Sequence, residues 1–160
     1  MTNQTSARGF TLVETVIATG VLITVIAGVA QLFALSARFT RDAGRIDVAL
    51  IAAQDKLESL RALRFGYDAD GVPVTDPRLQ ASSPTSLHEN IDSHFEWLQS
   101  DGSIGIEAGS SYLRRWRITE IAANGPSAIA IDVCVYAAHA TTVRPDQADA
   151  CLGSARVRQP

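Results

Sequence analysis

The chain has 160 residues, 46% of them hydrophobic and 19% charged, with a formal net charge of −3. That is room for about one domain, which excludes a multidomain enzyme. Beyond Phe65 there are 7 Arg against 12 acids, and so acidic a region disfavours general attraction to nucleic acid.

The amino-terminal part is built differently from the rest. Across the 23 residues from Thr15 to Ala37 there is no Asp, Glu, Lys, Arg or His. As a helix this run reaches about 34 Å, enough for a bilayer core of about 30 Å. Thr15, Thr19, Thr24 and Gln31 interrupt it, but they form no polar stripe of the kind a soluble amphipathic helix carries. Glu14 stands at its entrance, where a carboxylate beside hydrocarbon costs about 2 to 4 kcal/mol unless it is paired. Ala34-Leu35-Ser36 fits the small-x-small cleavage site of an ordinary signal peptide. The uncharged run, however, exceeds the roughly 7 to 15 residues of such an h-region, and Glu14 has no use in one. Arg8 precedes the run while Arg38, Arg41 and Arg45 follow it, so charge counting alone mildly favours the wrong end as cytoplasmic.

Arg8-Gly9-Phe10-Thr11-Leu12-Val13-Glu14, followed at once by the apolar run, resembles the processing site of the type IV pilin and type II secretion pseudopilin superfamily. The resemblance implies that a prepilin peptidase cuts between Gly9 and Phe10 on the cytoplasmic side and N-methylates Phe10. Residues 1–9 are then a leader and residues 10–37 a transmembrane and assembly helix. It further implies a single-pass inner-membrane protein with a cytoplasmic N-terminus and a periplasmic head. Glycine at position 9 lets an extended backbone enter a protease groove without a side-chain clash. For Glu14 the family supplies a partner, the N-terminal amine of the neighbouring subunit. The alternative is an acid snorkelling at the interface with no partner. Gly20 and Gly28 are the small residues that permit close helix approach.

After the membrane run, Phe39, Ala43, Ile46, Leu50, Ala53, Leu57 and Leu60 make an apolar stripe of period 3.5. Lys56, with Asp42, Arg45, Asp55, Glu58 and Arg61, falls on other faces. This predicts one long helix from about 11 to 64, with residues 38–64 as an amphipathic continuation that packs on the protein's own sheet. Residues 65–160 form the head. Between 66 and 110 the Gly, Pro, Ser and Asp content leaves no room for a long regular element. A short helix fits Leu87–Gln99, with Ser86 as cap and Glu89 three residues on. Tyr112–Ile121 reads as a strand, Asn124-Gly125-Pro126 as a turn and Ala128–Ala138 as a second strand. Ala155–Arg158 offers a short third. The fold class is α+β, a long helix packed on a small antiparallel sheet, as in pilin-like heads. The runs 57–61 and 114–117 also resemble minor pilins of the PilV-like kind. The absence of proline between residues 10 and 72 points the same way, since many bulk filament subunits carry one inside the helix.

His88, His94 and His139 are scattered, with no zinc spacing. Asp68 and Asp70, with Asp76 nearby, offer oxygen ligands for calcium or form a solvated Asx-rich turn; later ligands of a full calcium loop are missing. Arg114, Arg115 and Arg117 around Trp116 are the densest basic cluster. They suit either a stacking and phosphate patch for nucleic acid or an exposed strand face paired with acids such as Glu120 or Asp132. Cys134 and Cys151, the only cysteines, lie in the part expected to reach an oxidising compartment, where they pair. Two buried thiols are the alternative. Together these features predict no enzyme and no cofactor. They predict a minor structural subunit of a type IV pilus or type II secretion pseudopilus. Its partners are the peptidase, other pilin or pseudopilin subunits and an inner-membrane assembly platform. The rivals are a pilus-tip adhesin or DNA-binding minor pilin, and a secreted protein behind an ordinary signal peptide.

Overall fold

A computed structural model describes residues 10–121, 128–139 and 145–158. One helix, α1, spans Leu12–Arg61. It starts as its sequence directs: the Thr11 hydroxyl accepts the backbone N–H of Glu14 at 3.2 Å, which satisfies one of the unpaired donors of the first turn. The chain divides into two units, Met1–Asp42 and Ala43–Pro160.

The first unit holds the leading part of α1, which is long and apolar enough to cross a membrane. Its large side chains, among them Val16, Ile23, Val25, Leu32 and Phe33, are all exposed, so no apolar stripe is reserved for a protein core. The hydroxyls of Thr15 and Thr19 donate to the carbonyls four residues back, at 3.3 and 2.7 Å. That of Thr24 donates to the Val21 carbonyl at 2.7 Å. Each threonine in the apolar run thus satisfies its polar atom within the helix, which removes the main cost of placing it in lipid.

In the second unit the last turns of α1 pack on an antiparallel sheet. The strands are β1 (Phe65–Tyr67), β2 (Pro73–Thr75), β3 (Phe95–Leu98), β4 (Tyr112–Ile121), β5 (Ala128–Ala137) and β6 (Ala150–Val157). β1 and β2 form a two-stranded hairpin, and the main sheet has the order β3-β4-β5-β6. One face of that sheet presents Trp116, Ile118, Ile131, Val133 and Val135 to Ala49, Ala52, Ala53, Leu57 and Leu60 of α1. The alanines leave room for the sheet to come close, and the branched residues of β5 fill the space between.

The packed stripe differs from the period-3.5 expectation. Phe39, Ile46 and Leu50 are exposed, and Ala49 and Ala52 are buried in place of Ile46 and Leu50. A helix turning every 3.6 residues drifts about 20° per heptad from a 3.5 repeat, so the expected row leaves the sheet within two heptads of Leu60. Lys56, placed by that pattern away from the core, faces the sheet. The helix also stops at Arg61, three residues early. There the Leu63 carbonyl accepts the Arg156 guanidinium at 2.8 Å and the Arg64 carbonyl accepts the Asp76 N–H at 2.9 Å, so both leave the helical ladder.

The helix expected at Leu87–Gln99 is not formed. A single turn lies at residues 84–88 and β3 follows it. The Leu87 carbonyl is taken by the Tyr136 hydroxyl at 2.9 Å, and the Asn90 side chain by Arg115 at 2.7 Å. Ser93 then turns the chain with φ 67° into the strand. β6 begins at Ala150, five residues before the expected third strand, in register with β5 over its whole length. The turn expected at Asn124-Gly125-Pro126 lies outside the described residues. Cys134 and Cys151 stand directly opposite in that register and form a disulfide. The bridge closes a loop of about 18 residues, a constraint on the unfolded chain of about 3 kcal/mol.

Candidate functional site

Two places concentrate the chemistry expected from the sequence: the start of α1 and the head face around Trp116. At the start of α1, Phe10 and Glu14 are both exposed. The Glu14 carboxylate has no ion-pair partner among the described residues, although its own backbone N–H is held by Thr11. Gly9 lies outside the described residues. What is assembled here is a capped helix end with one open carboxylate at the head of a charge-free apolar run.

The basic cluster is arranged otherwise than its sequence suggests. Strand alternation sends Arg114 and Trp116 to the helix side and Arg115 and Arg117 to the other. Arg114 and Arg115 are only 4% and 5% exposed, so they do not belong to the exposed basic face expected at 114–117. Arg114 donates to both the Glu96 carboxylate, from Nε at 3.1 Å, and the Ala52 carbonyl at 2.7 Å. Arg115 holds Asn90 under the 84–94 segment. Arg117 pairs with Asp132 at 2.8 Å, the acid named for it from the sequence. Trp116 is buried in the core. No stacking surface for bases is presented by these four residues, because three guanidiniums are committed to partners and the indole is covered.

Sequence reasoning missed the group that Arg114 joins. Lys56, the only lysine of the chain, donates to Glu96 Oε1 at 2.6 Å and sits 3.7 Å from the centroid of the Trp116 ring. Two cations therefore share one carboxylate. Burial alone would raise the Glu96 pKa, but the bonds from Lys56 and Arg114 outweigh it and hold the carboxyl below its ordinary range. Burial moves Lys56 the other way, below the usual lysine range, because half a carboxylate does not offset its desolvation and Arg114 repels it. The available signal was spacing: Ala52, Lys56 and Leu60 are each four apart on one helical row. On the opposite sheet face burial pushes the Tyr136 phenol up to about 12, so it stays a donor to Leu87.

The acidic residues proposed for calcium are used locally. Asp68 accepts the N–H groups of Asp70 and Val72 at 3.0 and 2.8 Å and closes the β1–β2 turn, where Gly71 adopts φ 77°. Asp76 accepts the backbone N–H and the guanidinium of Arg78, and these bonds hold its carboxyl below the ordinary range. Among the described residues no three His, Cys, Asp or Glu side chains gather as a metal site. Comparison with protein-family models, curated proteins and solved structures finds no match.

Proposed function

We propose that the chain is the precursor of a minor structural subunit of a type IV pilus or type II secretion pseudopilus. A prepilin peptidase cuts between Gly9 and Phe10 and methylates Phe10. The helix then waits in the inner membrane with the head on the periplasmic side, until an assembly platform moves it into the filament and helix contacts replace lipid contacts. The observation that carries this reading is the start of α1: a capped helix whose one open carboxylate, Glu14, stands four residues after Phe10 at the mouth of a charge-free run. Several features support it. The threonines of the run satisfy their own hydroxyls, the same helix continues into an α+β head, and the head carries the disulfide that suits an oxidising compartment.

Replacing Gly9 by Leu tests the processing step, because a branched side chain should block entry of the extended backbone into the peptidase. Full-length precursor is expected to accumulate in the inner membrane, seen as a band shift and by mass. Normal maturation of Gly9→Leu would remove the peptidase from the account.

A further inference from the structure

Beside the Lys56 group, a cavity of about 580 Å³ opens in the head. Its apolar walls are Leu60, Pro77, Phe95 and Trp116, and Lys56, Glu96, Arg78 and His94 also line it. The charges do not balance. Arg78 is satisfied by Asp76 through Nε and Nη2 at 3.0 Å each, while Lys56 and Arg114 share Glu96 alone. One positive charge is left over at the cavity. Of the three donors of the Lys56 ammonium, one goes to Glu96, and the ammonium lies over the Trp116 ring. No second acceptor for it occurs among the described residues.

From this we infer that the cavity is a recognition site for a carboxylate carried beside an apolar group, as on an acidic residue of a partner polypeptide. The carboxylate takes the open donors of Lys56, and the apolar neighbour is covered by Leu60, Pro77 and Phe95. A sugar ring does not fit the same place, because the indole face it would stack on is occupied by Lys56 at 3.7 Å. A phosphate suits it poorly, because one surplus positive charge does not match two negative ones and Glu96 repels the excess. The depressed Lys56 pKa agrees with this: a second carboxylate would offset the desolvation that Glu96, shared with Arg114, does not. Binding of this kind belongs to the chain itself and does not depend on membership of a filament.

The test uses the full chain in detergent micelles, with Trp97→Phe so that Trp116 is the only indole. The probes are N-acetyl-Phe-Glu-amide, the matching Gln peptide, and phenylacetate. Saturable change in Trp116 emission is expected with the Glu peptide, at least about tenfold weaker with the Gln peptide. Binding should weaken between about 0.1 and 1 M salt. Lys56→Met, which keeps the stem and leaves Glu96 to Arg114, should abolish it and Lys56→Arg should restore it. As the single lysine, Lys56 also gives a readout in the Lys56-intact protein: the Glu peptide should slow its acetylation, followed by mass spectrometry of its peptide. No saturation up to about 10 mM, equal binding of the Glu and Gln peptides, or no protection of Lys56 would overturn the inference. Phenylacetate binding as tightly as the peptide would replace the polypeptide by a small organic acid as the ligand.

Discussion

Glu14→Ala is expected to be cleaved after Gly9, to accumulate in the inner membrane at the parent level, and to be missing from sheared filaments and from cross-links to partner subunits. The contact that begins the helix survives the change, because Thr11 is bonded to the backbone N–H of residue 14 and not to its carboxylate. Removing the charge even eases the lone subunit, since about 2 to 4 kcal/mol of desolvation disappears. On the proposed reading, what is lost is the group that meets a neighbour's amine. Gln at this position keeps the shape without the charge and should assemble almost as poorly. If Glu14→Ala enters filaments as well as the parent, the carboxylate has no part in assembly, and a tip position with no upstream neighbour becomes the better model.

A second large effect is expected inside the head. Glu96→Gln leaves Lys56 and Arg114 with no counter-charge, and losing one member of a buried pair costs about 3 to 5 kcal/mol. Lys56 and Glu96 keep 15% and 22% of their side chains exposed, so the lower end, about 3 kcal/mol, applies. The pH dependence follows from the lowered Glu96 pKa. A carboxyl more acidic in the folded state stabilises fully above its unfolded value of about 4.3, and that stability fades as pH falls through the folded value. Thermal melts followed by near-ultraviolet circular dichroism should therefore show a parent head that loses stability below about pH 4. The variant should melt lower at pH 6 and lose less on acidification. Melting of Glu96→Gln at the parent temperature at pH 6 would mean that the shared carboxylate does not hold helix and sheet together.

Elements with strong local periodicity were legible before the structure. β4 was read at its observed bounds, and β5 to within one residue, because Ile129, Ile131, Val133 and Val135 alternate without interruption. β3 was not legible. Ser86 and Glu89 imitate a capped helix start, whereas Phe95–Leu98 is a strand only because Tyr112–Arg115 lies beside it. β6 was cut short for a related reason: Cys151, Leu152, Gly153 and Ser154 have weak strand character alone and are held by pairing with β5 and by the bridge to Cys134. The start of α1 was readable because its signals are contiguous. The Lys56–Glu96–Arg114 group was not, since its members are up to 58 residues apart and a lone lysine on an alanine-rich helix reads as solvated.

Mass spectrometry of the mature protein's N-terminus tests the central claim most directly. In the proposed function the peptidase, the leader and the membrane helix all meet at the bond between residues 9 and 10, so a single mass tests the three together. The account predicts a chain that begins at Phe10 and carries one N-methyl group. A mature protein that still begins at Met1, or one that begins at Ala37 after a signal-peptide cut, would contradict it.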